Sequence, residues 1–88
     1  MNQEKIGKFI ALLRKEKGLT QKELAQILQI TDRAISKWEN GRGLPELGML
    51  LPLSEALGVS VNELLSGERL SEELYQQKLE EKIHEVYN

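Results

Sequence analysis

Few side chains in this sequence are equipped for covalent chemistry. Ser36 and Ser66 carry hydroxyls of the kind nucleophilic catalysis uses, but the one histidine, His84, is distant in sequence and no third group completes a triad. Cysteine is absent, which removes thiol catalysis, disulfides and thiolate metal sites together. Without a cysteine or a second histidine, His84 builds no familiar metal site and reads as a solvated side chain. No Gly-rich phosphate loop is present either. Catalytic residues, metal ligands and cofactors are therefore not expected. The remaining chemistry is recognition by charge and hydrogen bonding, and its distribution is uneven. Residues 1–45 hold nine basic and five acidic side chains, whereas residues 46–88 hold three basic and nine acidic, within a chain of net charge -2. A net +4 segment followed by a net -6 segment gives one surface for a polyanion and another for a different task.

These groups need a scaffold, and 88 residues allow one small domain with a single core and no deep substrate cavity. The longest apolar stretch, Leu47 to Leu53, is interrupted by Gly48 and Pro52 and is far short of a bilayer span. The N-terminus lacks the uninterrupted apolar core of a secretory signal, so a soluble, cytoplasmic protein is expected. Apolar residues recur with helical period throughout. Ile6, Phe9, Ile10 and Leu13 predict a helix over residues 3–17, with Asn2 as cap and Gly18 as stop. Thr20 and Glu23 form a capping box opening a second helix that carries Leu24, Ala25 and Leu28. After Gln29 and Ile30, Thr31 caps a third, with Ile35 and Trp38 on its inner face and Asn40-Gly41 as its stop.

Pro45 suits the first turn of a fourth helix, on which Leu47, Leu50, Leu53 and Leu57 mark the inner stripe and Gly58 the end. Pro52 falls within it, opposite that stripe, and buried Ser54 should bond the carbonyl of Leu50. Ser60 and Glu63 form a second capping box for a short fifth helix ending at Ser66-Gly67. Ser71 caps a last, polar helix with a thin stripe of Tyr75, Leu79, Ile83 and Val86. No period-two alternation occurs, so the class is all-α. Helices 2 and 3, joined by about three residues, must cross steeply, with the small Ala25 where their backbones meet. Ile35 and Trp38 pin helix 3 inward, leaving Asp32, Arg33, Ser36 and Lys37 exposed, and a helix so presented fits the major groove of B-DNA.

The segments Leu19-Thr20-Gln21-x-x-Leu24-Ala25, Ile30-Thr31-x-x-x-Ile35-Ser36-x-Trp38-Glu39-Asn40-Gly41, Pro45 and Leu57-Gly58-Val59-Ser60-Val61-Asn62-Glu63-Leu64 resemble the Cro/C1 repressor, or XRE, family. The resemblance covers roughly residues 3–66 and implies a five-helix lambda-repressor-like DNA-binding domain over 1–67. Residues 68–88 lie outside it and form an acidic amphipathic helix that can serve dimerisation. It further implies a transcriptional regulator, a repressor acting as a homodimer on a palindromic operator, with double-stranded DNA as partner and the bacterial nucleoid as its place.

By the same resemblance, Gln21 contacts a phosphate, Arg33 and Lys37 occupy base-reading positions, and Asn40 and Arg42 contact the backbone after the recognition helix. Thr31 combines its cap with a phosphate contact. Ser36 touches a base edge or bonds back to its own helix. Asp32 accepts from a cytosine amine, orients Arg33 or serves the helix dipole. Arg14 and Glu39 match an ion pair that orients helix 3, and Trp38 is core rather than a stacking platform. Gln29 stands where many relatives use glycine for a left-handed turn. A competing reading is an antitoxin-like or adaptor protein whose acidic half grips another protein.

Overall fold

The computed structural model describes residues 1–70, and these form five α-helices without a strand. They are α1 (Gln3–Glu16), α2 (Gln21–Leu28), α3 (Asp32–Glu39), α4 (Leu47–Leu57) and α5 (Val61–Ser66). The last helix expected, with Ser71, Tyr75, Leu79, Ile83 and Val86, lies outside the described residues.

Local signals set the boundaries. The Asn2 side chain accepts from the Lys5 amide and starts α1, while the Thr20/Glu23 and Ser60/Glu63 capping boxes are complete in both directions. Within the two boxes Glu23 and Glu63 receive the backbone amides of Thr20 and Ser60, which hold both carboxyls below the usual carboxylate range. A further amide, that of Leu70, reaches Glu63 and ties the chain after α5 back to the start of that helix.

Each helix contributes its periodic face to one core. Ile6, Phe9, Ile10 and Leu13 of α1 meet Leu24, Ala25 and Leu28 of α2, Ile35 and Trp38 of α3, Leu53 and Leu57 of α4, and Leu64 of α5. The α1 helix packs against α3, α4 and α5, so it is the central strut behind the α2–α3 pair. No helix among the described residues is long and apolar enough to cross a membrane.

Helix 4 departs from expectation in three ways. It begins at Leu47 with Glu46 as its cap, so Pro45 precedes the first turn. Pro45 is instead buried beside Leu44, Ile6 and Leu64, and that apolar contact outweighs its preference for a helical first position. Leu47 is 86% exposed and not part of the inner stripe. Six residues before Leu53, it is turned about 120° from that side chain, at the helix end where no preceding turn covers it. The Ser54 hydroxyl, buried as expected, donates to the carbonyl of Leu51 at 2.8 Å rather than to that of Leu50. Both the i−3 and i−4 carbonyls are within reach of a helical serine. Pro52 is exposed, away from the core face, as its position in the pattern requires.

Candidate nucleic-acid interface

The α2–α3 pair is joined by Gln29, Ile30 and Thr31, and the turn depends on a left-handed residue. Gln29 takes φ 57 and ψ 42, donating its amide to Gln26, while Ile30 donates to Ala25. A side chain in this conformation costs roughly 1–2 kcal/mol relative to glycine-like freedom, so the sequence tolerates strain to keep this turn. Thr31 then caps α3, its hydroxyl accepting from Ala34 at 3.4 Å.

With Ile35 fully buried and Trp38 nearly so, the opposite side of α3 is fixed toward solvent. Arg33, Ser36, Lys37, Asn40 and Arg42 line one open depression of about 340 Å³ there. Five of the expected contact residues are thus gathered on one surface. The Lys37 stem runs over Gly43, where an added Cβ would come within 2.7 Å of its Cε. Among the described residues Arg33, Lys37 and Arg42 have no carboxylate partner. No described carboxylate compensates their charge, an arrangement suited to an external anion.

Two expected contact residues are engaged with each other. The Asn40 amide nitrogen donates to the Ser36 carbonyl at 2.8 Å and to the Ser36 hydroxyl oxygen at 3.2 Å. The Ser36 hydroxyl accepts from the residue that follows α3, and Asn40 closes the end of that helix. Asp32 is exposed in the first turn of α3, where a carboxylate complements the helix dipole, and forms no ion pair with Arg33.

Behind this surface lies a polar node that joins three helices. Arg14 of α1 grips Glu39 of α3 with two bonds, Nε to Oε2 at 2.7 Å and a terminal nitrogen to Oε1 at 2.9 Å. Its other terminal nitrogen donates to the Leu19 carbonyl at 2.8 Å, at the entry to α2. The side chains are only 11% and 7% exposed, so the expected pair is present and largely desolvated. The Glu39 hydrogen bond raises the Arg14 pKa above its ordinary value against the opposing effect of burial. Gln21, expected at a phosphate, donates from Nε2 to Glu39 Oε1 at 3.0 Å and is half-buried.

Sequence reasoning missed Gly7. A Cβ there would lie 2.1 Å from the Trp38 carbonyl oxygen and 3.1 Å from that of Glu39, so α1 meets the end of α3 backbone to backbone. A glycine inside a helix costs about 1 kcal/mol, and that cost was the available signal.

Comparison with known proteins agrees with this geometry. A family model described as helix-turn-helix matches residues 10–64. The HTH-type transcriptional activator BcrR of Enterococcus faecalis is 48% identical over 58 residues, covering 66% of this chain and 28% of that protein. Multiprotein-bridging factor 1 of Candida albicans is 40% identical over 73 residues, covering 83% of this chain and 46% of that protein. The chain therefore spans less than half the length of these two curated relatives. The P22 c2 repressor protein, solved in complex with synthetic operator 9T, superposes with a TM-score of 0.69 at 35% identity over 72% of this chain and 96% of its own. Five helices in this order, a helix-turn-helix pair backed by α1 and a family match over most of the chain place it in one group: it belongs to the Cro/C1-type, or XRE, helix-turn-helix family.

Proposed function

We propose that the chain is a non-enzymatic transcriptional regulator that binds double-stranded DNA sequence-specifically, with α3 in the major groove. The observation that carries this reading is the row of exposed cations Arg33, Lys37 and Arg42, unpaired among the described residues, on one face of a helix pair held from behind by the Arg14–Glu39 node. Arg33 and Lys37 read base edges, while Gln21, Thr31, Asn40 and Arg42 meet the backbone and set register. Asp32 and Ser36 complete the surface presented to the groove.

One module of this size buries only about 600–1,000 Å² on DNA, which is modest for a specific regulator. A homodimer on a palindromic operator, with half-sites about 34–36 Å apart, supplies the missing affinity. In that arrangement the protein acts as a repressor, and residues 68–88 serve the dimer as an acidic element kept away from phosphate.

Selection from a random duplex pool, followed by titration of variants at several salt concentrations, tests the reading. Arg33→Ala should cost about 1–3 kcal/mol on the selected duplex and relax preference at one base pair per half-site. Arg42→Ala should weaken all duplexes alike and reduce the salt slope of log K by about 1 per site. A uniform loss for Arg33→Ala, with base preference intact, would remove the direct-readout role. Sedimentation of the chain with and without residues 70–88 tests the dimer.

A second reading, an antitoxin-like or adaptor protein with a protein partner, is favoured by the exposure of Leu47 and Leu51 on α4 and by the likeness to multiprotein-bridging factor 1. Purification with a stoichiometric protein partner and no duplex shift would select it.

A further inference from the structure

The Gln21 side chain is the only carboxamide bonded to the buried Arg14–Glu39 pair among the described residues, and the chemistry of that pair dictates its orientation. A carboxylate held by a guanidinium can only accept, so the amide nitrogen, not its oxygen, must face Glu39. One Nε2 hydrogen is committed to Glu39 Oε1 at 3.0 Å, and the second has no partner among the described residues.

Building on the DNA-binding reading above, we propose that Glu39 is a positioning residue for the backbone contact of Gln21. By accepting one amide hydrogen it orders the side chain before DNA arrives and leaves the other hydrogen for a phosphate oxygen.

Three consequences follow from the geometry. Ordering a glutamine side chain costs rotamer entropy, and here that ordering is completed during folding rather than on binding. The polarity of the amide is set, so its oxygen is not the atom offered beside Nε2. Arg14 also holds the Leu19 carbonyl at the entry to α2, so the node ties the helix that grips the backbone to the end of the helix that reads bases. A shift of α2 on the phosphates is then transmitted to α3 through Glu39.

The test replaces each phosphate of the selected duplex, one at a time, by a neutral methylphosphonate. One position per half-site should lower wild-type affinity about 10-fold, and Gln21→Ala should abolish sensitivity at that position alone. Glu39→Gln should diminish the same sensitivity. The double variant should bind no more weakly than the poorer single one, since both substitutions act on one contact. Full retention of sensitivity in Glu39→Gln, or losses that add, would overturn the proposal.

Should Glu39→Gln fail to fold, the Gln21 side-chain amide of the wild-type protein is followed by 15N–1H NMR. One Nε2 proton should be displaced from the shifts of exposed glutamines in the free protein, with the other moving on addition of the duplex. Two protons indistinguishable from those of exposed glutamines would overturn the proposal. A protein that binds no duplex while its Gln21 amide remains held would instead overturn the DNA-binding reading, and the phosphate contact with it.

Discussion

Truncating Arg14 to alanine isolates the value of the three-helix node. The substitution removes two bonds to Glu39 and one to the Leu19 carbonyl, at 2.7, 2.9 and 2.8 Å. It leaves a carboxylate whose side chain is 7% exposed with Gln21 as its remaining partner. Removing one member of a buried pair costs about 3–5 kcal/mol, whereas an exposed pair is worth about 0–1 kcal/mol. The slight exposure and the surviving Gln21 bond place Arg14→Ala near the low end, at about 3 kcal/mol. For a domain of this size that corresponds to a fall in Tm of about 12–24 °C. Replacing both partners, as Arg14→Leu/Glu39→Leu, removes the stranded charge and should recover most of the loss. Urea denaturation followed by circular dichroism reads both effects as shifts in midpoint. A cost below about 1 kcal/mol for Arg14→Ala would refute the argument, because it would mean that Glu39 is solvated as freely as a surface carboxylate.

Gln29→Gly should stabilise the fold by about 0.5–1 kcal/mol, the relief of left-handed strain exceeding the added entropy of the unfolded chain; urea midpoints measure it, and a loss would show that φ 57 is not strained here. Gly7→Ala should destabilise by about 2–3 kcal/mol or prevent folding, since its Cβ would meet the Trp38 carbonyl and the neighbouring Glu39 backbone. The depressed carboxyl of Glu63 contributes stability that is fully present above its unfolded value of 4.5 and is lost as pH falls through its lower folded value. Glu63→Gln should therefore flatten the dependence of stability on pH below 4.5, as thermal melts across pH 2–6 would show.

The parts of this fold that were legible in the sequence are those governed by near neighbours. Thr20 with Glu23 and Ser60 with Glu63 satisfy their orphan amides within one turn, so residue type and spacing alone determine the outcome. The inner faces of α1, α2 and α3 follow from helical period. The Arg14–Glu39 pair, 25 residues apart, was accessible only through family resemblance, because nothing local couples the two positions. Leu47 and Pro45 were misplaced because α4 starts two residues after Pro45, which leaves Pro45 before the helix and Leu47 in its uncovered first turn, and hydrophobicity alone does not report where that turn begins. The bonds from Gln21 to Glu39 and from Asn40 to Ser36 were hidden for another reason. A polar side chain on an interface has several acceptors within reach, and only the assembled helices decide among them.

The rigidity of the candidate interface is unevenly distributed, and the unevenness suits its proposed task. At its C-terminal end α3 is held by the Glu39 node, by the close approach of Gly7 to the Trp38 carbonyl, and by Asn40 folding onto Ser36. At its N-terminal end the ties are a 3.4 Å threonine cap and a left-handed glutamine turn, with Ile35 as the first fully buried anchor. Asn40 and Arg42, the proposed backbone contacts, therefore follow the firmly fixed end, and Arg33, the proposed base reader, sits on the less constrained first turn. Phosphate positions repeat along any duplex and reward a fixed spacing of contacts. Base edges differ from site to site, and reading them rewards a side chain free to adjust once that spacing is set.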